Sequence, residues 1–382
     1  MQLSIIIPTF NERENVEPIV KRISSSLKMV LEYEIWFIDD STDDTPSVLE
    51  RICACNQHVH FIHRSHSGGL ASAVVDGIGL SKGKYVIVMD GDLQHPPELL
   101  PVLLQRLEEG IDIVIPSRFV DGGSDGGLGL FRKWVSWTAR MFGQIALRKL
   151  RKISDCTGGY FGFHRSVIDG VKLSPIGWKI LIEILVKGNY QTVHEVPYAF
   201  QARDAGMSKM TLREQFNYIH HIFKLVLQSD EDRRFFSFCL VGLSGVIVNV
   251  AALSLFIYLL HVREVPASIL ASFIAMVSNF IWNDRITWRD RSTKNYTTVV
   301  RLPMFVLISV VGITLTTLIM DGLHRLNIPV LIGQCVGIFV ATFWSYHANN
   351  RFTWKGAARR KQRLQPIIVT KESKRLKTNG QV

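Results

Sequence analysis

The sequence predicts a largely parallel α/β domain over residues 1–230, followed by an all-α domain of four membrane-spanning helices over 231–355. In the first part, short apolar runs alternate with helical patterns, which is typical of parallel strands joined by right-handed crossovers. In the second part, the apolar runs are each about 20 residues long, a length that crosses a bilayer. They lie near 237–260, 265–283, 303–323 and 328–348. The remaining residues, 356–382, form a basic tail that we expect to be disordered.

The strands of the first domain are predicted from apolar runs rich in β-branched residues, which indicate burial on both faces of a sheet. These runs are 3–7, 34–38, 59–62, 85–89 and 112–115. Helices are predicted over 12–31 and 45–55, after Gly69 as far as Leu80, and after Pro96 as far as Glu108. Parallel sheets bind ligands beyond the carboxyl ends of their strands, so the polar residues at those ends are the candidate site.

The fourth predicted strand ends in Asp90-Gly91-Asp92, and Gln94 follows. Two carboxylates at alternate positions can point the same way around Gly91, whose backbone is free to bend. Such oxygen ligands suit Mg²⁺ or Mn²⁺, which bind through one or two carboxylates and the phosphates of a substrate. The alternative is a solvated loop with a helix cap. The acidic pair that ends the second strand favours the metal site.

The net charge of +11 is concentrated beside the apolar runs of the second domain. This placement indicates anionic lipid headgroups as partners and argues against nucleic acid. The basic residues follow the second and fourth spans: Arg285, Arg289, Arg291, Lys294 and Arg301, then Arg351, Lys355, Arg359, Arg360 and Lys361. By the positive-inside rule, we expect a multi-pass protein of the cell membrane whose first domain and C-terminus are cytoplasmic.

Two segments of the first domain are predicted to lie on the membrane surface. Aromatic residues alternate with Arg and Lys at helical spacing near 130–150, and 211–228 has a related pattern. The alternative for each is an ordinary amphipathic helix that packs on the domain.

The membrane domain contains an internal repeat. Asn283-x-Arg285-Ile286-Thr287-Trp288 matches Asn349-x-Arg351-Phe352-Thr353-Trp354, and Arg234 and Phe238 match Arg301 and Phe305 at nearly the same separation. The predicted unit is a pair of spans, duplicated in parallel orientation.

Six motifs of the first domain occur in a characteristic order. They are Pro8-Thr9-Phe10-Asn11-Glu12, Asp39-Asp40-Ser41, Asp90-Gly91-Asp92-Leu93-Gln94-His95-Pro96, Ser117-Arg118-Phe119, Asp155-Cys156-Thr157-Gly158-Gly159-Tyr160 and Gly206-Met207-Ser208-Lys209. In these motifs the domain resembles a family-2 glycosyltransferase of the Rossmann-like GT-A fold, and more narrowly a dolichol- or polyprenyl-phosphate mannosyltransferase. Residues 235–354 resemble the GtrA-like membrane domain. The fifth motif departs from the Asp-Pro-Thr-Ser-Gly pattern common in the family.

The resemblance implies a nucleotide-sugar donor, Mg²⁺ or Mn²⁺, and a polyprenyl phosphate acceptor. It implies that the metal is held by Asp90, Asp92 and Gln94, and that Asp90, Asp92 and Arg118 are catalytic. The nucleotide contacts that it implies are Pro8, Phe10, Glu12, Asp39, Asp40 and Gly91, with Arg203 and Lys209 on a loop over the donor diphosphate. The acceptor-phosphate ligands that it implies are Arg118, Arg132 and Ser136.

The expected nucleophile is a phosphate oxygen of the lipid. A phosphate monoester has a second pKa of about 6 and is largely dianionic at neutral pH, so no catalytic base is strictly needed. The departing nucleoside diphosphate accumulates negative charge, which a metal and cationic side chains would stabilise. Direct attack inverts the sugar carbon and gives a β-linked product from an α-linked donor.

The expected reaction is transfer of mannose from GDP-mannose. The alternatives are UDP-glucose or another hexose donor with the same chemistry, and a non-enzymatic partner in the transport of lipid-linked sugar. The membrane domain either anchors the enzyme near its lipid substrate or assists lipid reorientation.

Overall fold

A computed structural model describes residues 1–30, 32–65, 68–126, 130–200, 212–291, 297–355 and 367–369. The chain divides into two compact units. The first, here called the catalytic unit after the expectation from the sequence, comprises Met1–Gln228 together with Leu364–Val382, and the second, here called the membrane unit, is Ser229–Arg363.

The catalytic unit is built on a mixed sheet of eight strands. They are β1 (Leu3–Thr9), β2 (Tyr33–Asp39), β3 (Val59–His63), β4 (Tyr85–Val88), β5 (Ile113–Ser117), β6 (Phe161–His164), β7 (Thr192–Pro197) and β8 (Ile367–Val369). The strand order is β3-β2-β1-β4-β6-β5-β7-β8. Only β6 is antiparallel to its neighbours among the described strands. The five predicted strands are confirmed, and β6, β7 and β8 were not predicted.

Helices cover both faces of this sheet. They are α1 (Arg13–Ser26), α2 (Thr45–Cys55), α3 (Leu70–Leu80), α4 (Leu100–Glu108), α5 (Leu130–Ala146), α6 (Ile180–Lys187) and α7 (Leu212–Gln228). Ile6 packs in one core with Val74 of α3, whereas Ile5 and Ile7 pack in the other core with Val16 of α1. Burial on both faces explains why β1 is an uninterrupted apolar run.

The direction of β6 brings an extra loop to the carboxyl edge of the sheet. Because β6 lies antiparallel between β4 and β5, its amino end is at the edge where those two strands end. The chain that leads into β6 therefore reaches the same edge as the polar residues after β4 and β5. Strand β6 was not among the five predicted strands, so this placement was not predicted.

Helices α5 and α7 pack against each other on the catalytic unit. The Tyr218 hydroxyl donates to the Ala139 carbonyl at 2.6 Å, and a Cβ at Gly143 would lie 2.8 Å from that hydroxyl. Each helix also carries large exposed apolar side chains: Trp134, Trp137, Met141, Phe142 and Ile145 on α5, and Phe216, Ile219, Phe223 and Leu227 on α7. One side of each helix thus packs on the unit, and the exposed side retains the composition of a membrane-surface helix.

A buried ionisable cluster fixes α7 to α6. Glu183 accepts a hydrogen bond from the Ser174 N–H at 2.9 Å and pairs with Lys187, and His221 of α7 lies 3.4 Å from its second oxygen. Burial by itself would raise the pKa of Glu183, but its contacts with His221, Lys187 and Ser174 lower that pKa to about 2. The carboxylate therefore stabilises the fold in its charged form.

The membrane unit contains four long helices, α8 (Asp230–Ser254), α9 (Glu264–Trp282), α10 (Thr298–Arg325) and α11 (Val330–Ala348). Three of them continue into π-helical turns, Leu255–Leu259, Asn283–Thr287 and Asn349–Thr353. All four are long and apolar enough to cross a membrane, as predicted.

The two helix pairs of the membrane unit repeat the same close contact. In the first pair, a Cβ at Gly245 would lie 2.3 Å from the Asn279 side-chain oxygen. In the second pair, a Cβ at Gly312 would lie 2.9 Å from the Ser345 hydroxyl. Small residues allow helices to approach closely in membranes, where polar side chains also bond across the interface. Gly245 and Gly312 are separated by the same number of residues as Arg234 and Arg301 of the predicted repeat, which the structure therefore reproduces.

Replacing Glu183 should change how the stability of the catalytic unit depends on pH. The pKa of Glu183 is lowered from 4.5 to about 2, so its stabilisation is complete above pH 4.5 and is lost as the pH falls toward 2. That shift corresponds to at most about 3 kcal/mol. Thermal melts of the full chain in detergent should show a steeper acid loss for the wild type than for Glu183→Gln. Parallel pH profiles would contradict the assignment.

Candidate active site

The polar ends of three neighbouring strands meet at one edge of the sheet. Strand β1 pairs with β2 on one side and with β4 on the other, so the chain order reverses direction at β1. Thr9 lies in register with Asp39, and Asp90 follows β4 on the opposite side of β1. Two strand spacings, about 10 Å, separate the ends of β2 and β4. Such a reversal opens a crevice in which α/β proteins bind ligands.

The loops after β1 and β4 contain backbone strain. Asn11 has φ of 56° and Leu93 has φ of 60°, in the left-handed region that costs an ordinary residue about 1 kcal/mol. The Asn11 side chain accepts from the Thr42 N–H at 2.8 Å, and the Asn11 N–H donates to the Ser41 hydroxyl at 2.7 Å. These bonds fasten the β1 loop to the β2 loop. Strained backbone of this kind is retained where surrounding contacts hold it in place, and it is common at functional sites.

The acidic triplet is held by its own loop. The Asp90 side chain is 34% exposed, whereas Asp92 is buried. The Asp90 N–H donates to His95 Nδ1 at 3.0 Å, and Asp92 Oδ1 accepts from the Gln94 N–H at 3.2 Å. His95 is itself buried and stacks on the ring of Tyr160. His95 therefore orients the backbone of Asp90, a role that the sequence analysis did not assign.

Gly91 lies close to β1. Its φ is outside the left-handed region, so the backbone conformation at this position does not itself require glycine. A Cβ at Gly91 would lie 3.1 Å from Thr9 Cγ2. The missing side chain thus lets the loop pack directly on β1.

The donor atoms of this loop fit a hard divalent cation. Within the described ranges, no group of three or more His, Cys, Asp or Glu side chains could hold a metal on its own. Asp90, Asp92 and Gln94 offer two carboxylates and an amide oxygen. Mg²⁺ commonly takes one or two carboxylates and completes its coordination with phosphate oxygens and water. The three residues therefore suit a cation that is bound together with a phosphate ligand.

The acidic residues after β2 are held by residues at the end of β3. Asp39 is fully buried and accepts from Thr9 Oγ1 at 3.0 Å, Ser41 Oγ at 2.5 Å and His63 Nδ1 at 2.7 Å. Asp40 pairs with Arg64. His63 is 45% exposed, so it connects the buried carboxylate of Asp39 to the protein surface. The sequence analysis missed His63 and Arg64, although both lie at the same strand edge.

Arg64 carries a charge that two carboxylates hold in place. Burial lowers its pKa, but Asp40 and Asp76 outweigh this effect and raise it above the ordinary value. Arg64 Nη1 donates to Asp76 at 2.9 Å and to the Ser72 hydroxyl at 2.9 Å. Asp40 thus contributes to the site by orienting Arg64.

The predicted residues of the β1 loop lie beside this pair of acidic residues. Pro8 is within β1, and Phe10 is exposed. Glu12 is buried, its carboxylate accepts from Asn15 Nδ2 at 2.7 Å, and its N–H donates to Thr45 Oγ1 at 3.1 Å. Glu12 therefore joins the start of α1 to the start of α2.

Arg118, after β5, forms a two-point ion pair with buried Asp155. Its Nε donates to Asp155 Oδ2 at 2.9 Å and its Nη2 to Oδ1 at 3.1 Å. The guanidinium also lies 5.1 Å from the Phe119 ring and 5.3 Å from the Phe200 ring. Burial lowers the pKa of Arg118, but Asp155 more than compensates, so the pKa is raised. This geometry orients a permanent cation.

Residues 154–159, here called the bridging segment, connect Arg118 to Asp90. Glu195 of β7 accepts from the N–H groups of Ser154 and Asp155, each at 3.0 Å. At the other end, a Cβ at Gly159 would lie only 2.9 Å from Asp90 Oδ2. The segment thus supports the partner of Arg118 and contacts a predicted metal ligand.

Lys179 holds the middle of the bridging segment. Its ammonium donates to the Thr157 carbonyl at 2.8 Å. Burial, aided by the charge of Arg118, lowers the pKa of Lys179, while Asp155 and Asp90 oppose that shift. Lys179 and Glu195 were not predicted as site residues, because neither follows a predicted strand.

Helix α5 reaches the Arg118 side of the site. Arg140 Nη1 donates to the Ser154 carbonyl at 3.2 Å, and its guanidinium lies 3.8 Å from the centre of the Phe119 ring. Ser136 is one turn earlier on the same helix face. Arg203 and Lys209 lie outside the described residues, as does the side chain of Arg132.

Comparisons with known proteins identify both parts of the chain. Residues 4–171 match the model of Glycosyl transferase family 2, and residues 237–354 match that of the GtrA/DPMS transmembrane domain. A dolichol-phosphate mannosyltransferase of Pyrococcus furiosus is 39% identical over 93% of this chain and 99% of its own length. A polyprenol monophosphomannose synthase of Mycolicibacterium smegmatis is 36% identical over 54% of this chain and 80% of its own.

The catalytic unit has a GT-A-like mixed sheet and is a glycosyltransferase domain. The chain belongs to the family-2 glycosyltransferases of the dolichol-phosphate mannosyltransferase type, with a GtrA/DPMS membrane domain. A solved glucosyl-3-phosphoglycerate synthase from Mycobacterium tuberculosis overlaps 59% of this chain and 79% of its own, with a TM-score of 0.46 and 17% identity.

Glu195→Gln should impair catalysis through the bridging segment. An amide would keep one acceptor oxygen but would place its NH2 group against the backbone N–H of Ser154, to which both carboxylate oxygens now bind. Ser154 and the adjacent Asp155 would shift, and Arg118 would shift with them. A displacement of about 1 Å can reduce catalysis on the order of 100-fold. We expect kcat/KM for the acceptor to fall about 10- to 100-fold, with partial recovery in Glu195→Asp.

Glu34→Gln is the matched control for this prediction. Glu34 is also a buried carboxylate that accepts from a hydroxyl, Ser4 Oγ at 2.6 Å, and from a backbone N–H, that of Lys82 at 2.6 Å. It lies at the amino end of β2, away from the site. Both variants should melt at lower temperature, and only Glu195→Gln should lose activity. Equal activity in the two variants would refute the positioning role.

Proposed function

We propose that the protein transfers mannose from GDP-mannose to a dolichyl or polyprenyl phosphate, with a divalent metal and with inversion at the sugar carbon. The observation that carries the proposal is the bridging segment. It joins a predicted cation site at Asp90 to the oriented guanidinium of Arg118. A transferase that brings together a diphosphate donor and a phosphate acceptor requires two such centres side by side.

The donor would occupy the crevice between the ends of β2 and β4. Asp39, extended by His63, offers acceptor and imidazole atoms for the nucleoside, while Asp90, Asp92 and Gln94 would hold Mg²⁺ or Mn²⁺ beside the diphosphate. The metal would supply charge neutralisation for the departing nucleoside diphosphate. Arg203 and Lys209, outside the described residues, are the proposed cations of a loop over the donor.

The acceptor phosphate would bind at Arg118, with Arg132 and Ser136 of α5 as further ligands. Asp155 occupies one edge of the Arg118 guanidinium and fixes its orientation. Since the phosphate is already largely dianionic at neutral pH, the protein needs to align and screen two anions more than to remove a proton. Attack on the sugar carbon then gives the β-linked lipid-phosphate mannose.

The membrane context suits a lipid acceptor. The exposed apolar sides of α5 and α7 support a position at the headgroup level, where the phosphate of a polyprenyl lipid resides. The basic ends of the spans support a cytoplasmic catalytic unit. The name of the relative from Pyrococcus furiosus, a dolichol-phosphate mannosyltransferase, supports mannose as the sugar.

A donor panel tests this proposal directly. Purified full-length protein with polyprenyl phosphate and Mg²⁺ or Mn²⁺ should label a chloroform-soluble, mild-acid-labile product from GDP-[¹⁴C]mannose and not from UDP-[¹⁴C]glucose. A glucose product would change the assigned donor. The absence of a lipid product with every nucleotide sugar tested would contradict the proposal.

Asp92→Asn should reduce kcat by roughly 100-fold or more, the scale expected when one group that stabilises transition-state charge is removed. Asp169→Asn is the control, because Asp169 is an exposed aspartate after β6, at the opposite edge of the sheet. Normal sugar transfer in Asp92→Asn, together with lost lipid transport, would favour the non-enzymatic alternative.

Replacing the exposed aromatic residues of α5 and α7 should affect lipid-embedded acceptor selectively. In Trp134→Gln/Phe216→Gln, we expect KM for a long-chain acceptor in vesicles to rise on the order of tenfold, because apolar area no longer enters the membrane. KM for a water-soluble short-chain acceptor should stay unchanged. Met29→Gln, an exposed apolar residue on neither helix, provides the control. An equal effect on both acceptors would contradict the interfacial role.

A further inference from the structure

The duplicated Asn-x-Arg-x-Thr-Trp motif ends the second helix of each pair in a π-helical turn. In the first copy, the Thr287 hydroxyl donates to Asn283 Oδ1 at 2.8 Å. In the second copy, the Thr353 hydroxyl donates to Asn349 Oδ1 at 2.8 Å. All four side chains belong to buried residues. The Asn and Thr of the motif therefore fix the local backbone in the same way twice.

The two copies also contact each other directly, in an arrangement here called the lock. The indole rings of Trp288 and Trp354 stack with centroids 4.3 Å apart and an interplanar angle of 6°. Trp354 Nε1 donates to Asp284 at 2.8 Å, and Trp288 Nε1 donates to Asn350 at 3.2 Å. The second residue of each motif, Asp284 or Asn350, thus accepts a hydrogen bond from the indole N–H of the other copy.

Two more arginines complete this lock from inside the membrane unit. Arg301 pairs with Asp284, and Arg291 Nη1 donates to Asn350 at 2.9 Å. Arg234, which matches Arg301 in the repeat, pairs with Asp290 at 2.6 Å. These three cations are therefore used in the structure.

The third and fourth residues of each motif, Arg285 and Ile286 in the first copy and Arg351 and Phe352 in the second, do not take part in the lock. Arg285 and Arg351 are exposed, and neither has an ion-pair partner among the residues that the structure describes. The next residue in each copy is apolar and exposed, Ile286 at 55% and Phe352 at 50%. Every other residue of the motif takes part in the lock. Each copy therefore exposes one Arg and one apolar side chain.

This arrangement exceeds what the positive-inside rule requires. That rule asks only for cationic residues near the span ends, and mobile loop lysines satisfy it. Here each Arg belongs to a π-helical turn whose Asn and Thr are buried and hydrogen-bonded, it is followed by an exposed apolar residue, and the turn ends a helix long and apolar enough to cross a membrane. Arg is the side chain whose planar fork binds two phosphate oxygens at once.

We propose that Arg285 and Arg351 form two equivalent binding sites for the headgroup phosphate of an anionic phospholipid. Each site has one cation without an ion-pair partner among the described residues, which matches the single negative charge of a phosphodiester. Ile286 or Phe352 would contact the acyl chain, and the Phe352 ring lies 5.9 Å from the Arg351 guanidinium. A phosphate monoester with two charges would need a second cation at each site. Both arginines belong to the membrane unit, whereas the glycosyltransferase site belongs to the catalytic unit, and the proposal does not rest on the proposed reaction.

Native mass spectrometry of the full-length protein in detergent tests the proposal with phosphatidylglycerol as the probe. We expect the wild type to retain two more phosphatidylglycerol molecules than Arg285→Gln/Arg351→Gln, and each single variant to lose one. Near a membrane surface one Arg is worth about a fivefold change in affinity, so each site should weaken by at least about that factor. Both arginines are exposed, so the variants should keep the wild-type melting temperature.

Arg263→Gln is the matched control, because Arg263 is an exposed cation at the opposite end of α9 and removes the same charge. It should retain both lipids, and Arg285→Lys should bind more weakly than the wild type but better than Arg285→Gln. Unchanged lipid retention in the double variant would overturn the proposal. So would an equal loss in Arg263→Gln, or retention of polyprenyl phosphate in place of phosphatidylglycerol.

Discussion

Arg118 and Asp155 form a buried ion pair at the carboxyl edge of the sheet, and the geometry of the site depends on how this pair is held. Burying two charges is unfavourable unless hydrogen bonds satisfy the remaining polar atoms. The two-point hydrogen bonding between Arg118 and Asp155 offsets part of this cost, and Glu195 of β7 fixes the position of Asp155 by accepting from its backbone N–H. The same stretch of chain then contacts Asp90 through Gly159. The proposed cation for the acceptor, Arg118, and the proposed metal ligand beside the donor, Asp90, are therefore connected through six residues of backbone.

The reversed strand β6 makes this connection possible. A sheet of parallel strands alone would bring to this edge only the loops that follow its strands. Because β6 runs the other way, the loop that precedes it lies between the ends of β4 and β5. Lys179 fastens the middle of that loop from the start of α6. The site is thus shared between loops that follow parallel strands and one loop that enters an antiparallel strand.

The sequence predicted the parts of the fold that depend on local pattern. Strands β1 and β4 are uninterrupted apolar runs that end in polar residues, so both the strands and Asp90 were identified. Strand β6 is four residues long and includes Gly162, which leaves too little pattern to recognise.

Residues that act by contact across the fold were harder to find. Glu195 lies within β7, and its partners Ser154 and Asp155 are distant in the chain. His95 was noticed only as part of a motif, because its partner is a backbone N–H group, which a sequence pattern does not reveal. The repeat was visible in the membrane unit for the opposite reason, since a motif recurs in sequence. That Trp288 and Trp354 stack on each other follows from packing and could not be predicted from the repeat alone.

We propose above all that the acidic residues after β4 hold a divalent cation against the diphosphate of the donor. Electron–nuclear double resonance of Mn²⁺ bound to the full-length protein with GDP tests it most directly. This method detects the phosphorus nuclei of phosphate groups whose oxygens are bound to the metal. We predict ³¹P coupling from GDP in the wild type and its loss in Asp90→Asn. Mn²⁺ that binds GDP equally well in both proteins, with the same coupling, would contradict the claim.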